Sequence, residues 1–126
     1  MPPETVSAAS PEPALRPPDI ATMRETISRL LPPDVEPLDE AEVERLIGLL
    51  RGHLALMIEE VHQAAISQPK DDIPRYVALA CLDEARGRLE RTATGLGRYE
   101  AIRHARRLAR SLNALCDHYE ALTGAR

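Results

Sequence analysis

A chain of 126 residues with 29% charged side chains and a formal net charge of -4 has the solvated surface of a small globular protein and no bulk attraction for nucleic acid or an anionic membrane. Its aromatic content is 2%, confined to Tyr76, Tyr99 and Tyr119, so any core has to be built from Leu, Ile, Val, Met and Ala, a set suited to close helix packing. No apolar run approaches the roughly 20 residues that cross a bilayer, and the N-terminus lacks the basic start and apolar run of a secretory signal; a cytoplasmic location and no membrane partner are expected.

Residues 1–18 hold prolines at 2, 3, 11, 13, 17 and 18, which removes backbone donors and leaves little to bury, so this arm is expected to be disordered. No P-x-x-P core with flanking basic residues stands out, and the arm reads as a plain tail. Residues 19–126 are expected to form one helical-bundle domain.

The first predicted helix starts at Asp19 as N-cap, carries Ile20, Met23, Ile27, Leu30 and Leu31 on one face, and is stopped by Pro32 and Pro33. A second helix over residues 39–68 opens on Asp39 as N-cap, with Glu42 placed for a capping box and Leu38 for a staple against Val43. Its seam, Val43, Ile47, Leu50, Leu54, Met57, Val61 and Ala64, alternates steps of four and three, the spacing of a bundle. At about 1.5 Å per residue this helix is roughly 40 to 45 Å long.

Pro69 ends it. A third helix restarts after Asp71 and Asp72 with Pro74 in its first turn, and its seam is Ala78, Leu82, Ala85 and Leu89, flanked by Val77 and Cys81. Gly95 and Gly97 break the pattern, and a fourth helix runs over residues 98–123, closed by Gly124. Its inner face is Ile102, Ala105, Leu108, Ala109, Leu112, Leu115, Cys116, Tyr119 and Leu122. Short connections make sequence neighbours antiparallel, so the expected fold is all-α, an antiparallel bundle of three long helices plus a short N-terminal helix.

Few residues offer chemistry. Glu59-Glu60-Val61-His62 holds one Glu-x-x-His, but di-metal bundles need a second copy and two further glutamates; it reads as a solvated face, and no metal or cofactor is expected. His104 and His118 fall outside the central seam of the fourth helix, and no serine or cysteine nucleophile is tied to a histidine by a motif. Cys81 and Cys116 read as reduced, buried and structural.

Two surfaces stand out. The second helix adds Leu46, Leu49, Leu56 and Ile58 to its seam, together with a separate small-residue stripe of Gly48, Gly52 and Ala55. Either the other helices cover this excess, or the part around Leu49, Gly52, His53 and Leu56 meets a second copy or another protein. On the fourth helix Arg103, Arg106, Arg107 and Arg110 form a basic stripe in the N-terminal half, with Asp117 and Glu120 toward the C-terminus, against the helix dipole. The stripe reads either as a solvated face paired with glutamates of neighbouring helices or as a hold for an acidic partner or phosphate groups. Direct DNA binding is not expected, since no helix-turn-helix spacing is present.

The segments Ala21-Thr22-Met23-Arg24, Leu50-Arg51-Gly52-His53-Leu54 and, above all, Ala105-Arg106-Arg107-Leu108-Ala109-Arg110-Ser111-Leu112-Asn113-Ala114-Leu115-Cys116-Asp117-His118-Tyr119-Glu120 resemble a small actinobacterial family of unknown function labelled as natural-product biosynthesis proteins. The resemblance covers roughly residues 19–122 and brings no established catalytic residues. It implies a bacterial cytosolic setting and a link to specialised metabolism. The expected function is that of a non-enzymatic accessory or protein-interaction bundle that binds another protein or a second copy of itself; the alternative is a small-molecule binder or enzyme of natural-product biosynthesis with an apolar pocket in the bundle interior, touched by His53 or Asn113.

Overall fold

The structure, a computed structural model, describes residues 16–32, 37–91 and 97–124. Most of the proline-rich arm, Pro33, and the start of the break at residues 94–97 lie outside them. Among the described residues there are four helices and no strand: α1 Ile20–Ser28, α2 Glu40–Ile66, α3 Ile73–Glu90 and α4 Arg98–Thr123.

Aspartates set three of the four starts. The side chains of Asp19, Asp39 and Asp72 accept hydrogen bonds from the amides of Thr22 (3.1 Å), Glu42 (2.8 Å) and Arg75 (3.0 Å), satisfying first-turn donors that have no partner inside the helix. α4 begins at Gly97 with no side-chain cap and ends at Gly124, whose φ of 73° is the left-handed conformation that a Cβ disfavours. The capping box expected at Asp39 is only half made. Glu42 turns its carboxylate to Arg29 of α1 (2.9 Å) and Arg45 (2.6 Å), because two guanidiniums are stronger donors than one backbone amide.

Contacts at the two ends of the bundle fix helix directions. Arg98, opening α4, donates to the Leu38 carbonyl just before α2 (2.7 Å), and Gln68, just after α2, donates to the Leu122 carbonyl near the end of α4 (3.2 Å). α2 and α4 therefore run side by side in the same direction and make the broadest helix contact. α3 returns antiparallel to both. α1 also opposes α2, its C-terminal Arg29 reaching Glu42 near the start of α2 while Asp19 lies close enough to His53 for their charges to interact. α1 and α3 each touch α2 and α4 but not one another, so they flank the central pair on opposite sides.

The core is continuous and aliphatic. Leu50, Leu54, Met57 and Val61 of α2 meet Leu108, Leu112 and Leu115 of α4, all fully enclosed, while Ala78 and Ala85 of α3 and Ala105 and Ala109 of α4 keep the backbones close. Met23, Ile27 and Leu30 seal it from the α1 side. The α2 seam ends on Ala65 rather than Ala64, since straight helices repeat nearer 3.6 than 3.5 residues and the buried face drifts over several turns. Leu89 is only half-buried and Val77 is exposed, because α3 lies on the flank of the central pair and covers it with a narrow face.

This arrangement assigns opposite signs to two substitutions. Leu112→Ala removes a fully enclosed side chain and is expected to cost about 2 to 5 kcal/mol. Gly87→Ala in α3, where an added Cβ meets nothing within 4 Å, is expected to stabilise by about 1 kcal/mol. Urea unfolding of both variants checks the pair.

Candidate interaction surfaces

α2 presents an uncovered outer face. Arg45, Gly48, Leu49, Gly52, Ala55, Leu56 and Glu59 all lie exposed on the side opposite the seam, with Leu49 39% and Leu56 45% accessible. A Cβ built at Gly48 or Gly52 finds nothing within 4 Å, so none of the described helices uses the small-residue stripe. His53 sits beside this face, half-buried toward α1. Burial pushes its imidazole below the ordinary range, against the opposing pull of Asp19.

The arginine stripe of α4 divides instead of acting as one unit. Arg106 lines a groove of about 390 Å³ shared with Arg29, Leu30, Leu38 and Arg98 on the α1 side. Arg107 and Arg110 line another groove, against α3, and Arg103 stands over the Tyr99 ring at 5.6 Å. Among the described residues no carboxylate lies within ion-pair distance of any of these four arginines. Pairing with glutamates of neighbouring helices, the plainer expectation for the stripe, does not occur there. The stripe faces away from α2, so Arg103 and Arg110 lie on the opposite side of the bundle from Leu49, Gly52 and Leu56.

The acidic half of α4 does have an intramolecular explanation. Arg24 of α1 donates to Asn113 (2.5 Å), Asp117 (3.0 Å) and Glu120 (2.9 Å), a three-point clamp that fastens the short helix to α4. Asp117 and Glu120 are thus placed to hold α1, and that role overrides the dipole preference. Asn113, a candidate polar contact for an interior pocket, has its side-chain oxygen engaged by this clamp.

A family of unknown function, DUF6415, has a model that matches residues 21–124. The chain belongs to DUF6415. The match takes in nearly all of α1 and the whole of α2, α3 and α4, so the family is defined by the complete bundle. No curated protein and no solved structure matches the chain.

One residue of this DUF6415 bundle has a place that sequence periodicity did not assign. His104, at the edge of the α4 stripe, is buried at 7% exposure and its Nε2 has no hydrogen-bond partner. Burial, followed by the charges of Arg51, Arg107, Arg88 and Arg91, pushes its imidazole below the ordinary value. Arg51 is held there by donating to the Arg91 carbonyl at the end of α3 (3.0 Å). The signal in the sequence was a histidine one turn before Arg107; what covers it is α3, whose position the sequence does not print.

The remaining chemistry is quiet. Cys116 is buried and its thiol is held up to about 11, and Cys81, half-buried rather than buried as expected, is also raised by burial and by Glu84; both are free thiols. Glu59 is exposed and His62 half-buried, and among the described residues no three His, Cys, Asp or Glu side chains converge as a metal site. No helix of the described residues is long and apolar enough to cross a membrane.

The two lowered histidines give a signed pH dependence. As pH falls below about 6.5, the unfolded chain takes up protons that buried His104 and half-buried His53 still refuse, so stability is full above that value and declines below it. Thermal unfolding is expected at a lower midpoint at about pH 5.5 than at about pH 7.5, before carboxylates titrate, with the difference reduced in His104→Gln and further reduced when His53→Gln is added.

Proposed function

We propose that this protein is a non-catalytic accessory bundle that works through protein contacts, the first of them with a second copy of itself across the outer face of α2. The observation that carries the reading is the self-complementarity of that face. With two α2 helices laid antiparallel about a two-fold axis at Gly52, Leu56 of one faces Gly48 of the other and Leu49 faces Ala55. The same register sets Arg45 opposite Glu59. Knob meets hollow and cation meets anion on one patch, which is what a two-fold contact requires. All of these residues are exposed within the single chain, and the two interior glycines, each costing about 1 kcal/mol against alanine, have no intramolecular use.

A contact of a few helical turns falls short of the roughly 1,600 Å² of a standard stable interface, so the dimer is weak and concentration-dependent. That suits an accessory protein whose face is open to exchange between a second copy and another helical partner. The resemblance of the α4 string supports a setting in actinobacterial specialised metabolism and a cytoplasmic location.

Sedimentation equilibrium from micromolar to near-millimolar concentration is expected to show a reversible monomer and dimer. Leu49→Glu and Leu56→Glu should each abolish the dimer and leave the unfolding midpoint of the dilute protein unchanged. Gly52→Ala should stabilise the protomer by about 1 kcal/mol yet weaken association, because its methyl lies on the axis. A monomer at every concentration, with both glutamate variants identical to the parent chain, removes the reading.

A further inference from the structure

The groove between α3 and α4 collects arginines that, among the described residues, meet a single carboxylate within ion-pair distance, Glu84 beside Arg88. A groove of about 220 Å³ between the two helices is lined by Arg88, Arg107, Arg110 and Ser111, with Glu84 as its one carboxylate. Glu84 engages Arg88 loosely, at 3.4 Å, and among the described residues Arg107 and Arg110 have no ion-pair partner. The Arg88 Nε is buried with no acceptor. One turn before Arg107, buried His104 also has an unpartnered Nε2, and Arg51 and Arg91 add their charges around it. Two guanidiniums that no described carboxylate pairs, beside an Arg88 whose Nε lacks an acceptor, form an arrangement that an anion with several acceptor oxygens would complete.

The geometry points to a binding site in this groove for the phosphoryl group of a small phosphorylated molecule, held by Arg88, Arg107 and Arg110 with the Ser111 hydroxyl. Guanidinium forks match the oxygens of phosphate in pairs, and a dianion with three terminal oxygens uses more of these donors than a carboxylate has places for. The size of the groove suits one phosphoryl group with a small substituent. A polynucleotide would require a longer basic track than a chain of net charge -4 offers. The half-buried Cys81 beside the groove keeps its proton, raised by burial and by Glu84, so the site binds and does not attack. This site lies across the bundle from the proposed dimer face and does not depend on it.

Calorimetric titration of the full chain at low ionic strength with orthophosphate, pyrophosphate and glycerol phosphate tests the site. Saturable binding is expected, weakened about tenfold by Arg107→Gln and by Arg110→Gln and tightened by Glu84→Gln. Arg107→Gln and Arg110→Gln should unfold no earlier than the parent chain, since neither arginine holds an ion pair among the described residues. NMR titration of the His104 imidazole should show its pKa rising when phosphate is added, and Leu56→Glu should bind phosphate as the parent does. Stronger heat from glycerol phosphate or pyrophosphate than from orthophosphate identifies an ester or a diphosphate as the source of the group. Absence of binding by all three, equal binding of acetate, binding that survives the double variant Arg107→Gln/Arg110→Gln, or capture of duplex DNA without the small phosphates each overturns the assignment.

Discussion

Without tryptophan or phenylalanine, this bundle holds together by packing aliphatic side chains between its helices, and the α2–α4 contact is where most of that happens. Leucines of α2 and α4 interlock over several turns, and alanines at Ala105 and Ala109 let the helices approach closely. Each fully buried leucine contributes about 1.5 to 3 kcal/mol against leaving it in water. α3 offers mainly Ala78, Leu82 and Ala85, and α1 offers Met23 and Ile27, so neither has a face broad enough to organise a core alone. They dock because the central pair exists.

That dependence decides where surfaces are free. Two helices that bury their inner faces against each other, flanked by two more that do not touch, leave their outer faces pointing in opposite directions. On α2 the outer face is apolar and small; on α4 it is basic. The α1 side is closed by charge as well as by apolar area: Arg24 clamps Asn113, Asp117 and Glu120, and Arg29 joins Glu42. A helix of 9 residues is marginal in isolation, and these charge-assisted bonds add direction to a small hydrophobic contact. About a third of the Arg24 side chain still meets water, which reduces what the clamp contributes but not the register it imposes.

Helix boundaries were legible because they are local. Asp19, Asp39 and Asp72 announce starts, Gly124 announces a stop, and a backbone amide three residues from an aspartate has no better acceptor. The aliphatic seams of α2 and α4 were legible for the same reason, since a face repeats every turn whatever it packs against. Edge positions were not. His104 and Val77 both border a stripe, and one is buried while the other is 45% exposed, because the answer depends on where α3 lies and not on periodicity. Glu42 shows the same limit: its spacing fits a capping box, yet long-range Arg29 competes for its carboxylate and wins. The arginine stripe looked like one feature on a helical wheel and is divided by two neighbours whose positions a wheel omits.

The unpaired arginines then carry a physical weight of their own. Surface guanidiniums can stand free at little cost, but Arg88 Nε and His104 Nε2 are shut off from water, and a buried polar atom without a partner costs about 1 to 3 kcal/mol. Burial, and after it the charges of Arg51, Arg107, Arg88 and Arg91, make a proton on His104 unfavourable as well. A chain with net charge -4 has acidic residues enough to neutralise such a cluster, and places Asp117 and Glu120 elsewhere on the same helix to hold α1. Core packing gains nothing from the cluster, since Leu108, Leu112 and Leu115 on the inner face are enclosed whatever stands opposite. Charge gathered at a cost, away from the core and beside buried nitrogens without partners, is the physical ground on which the proposed phosphate site rests.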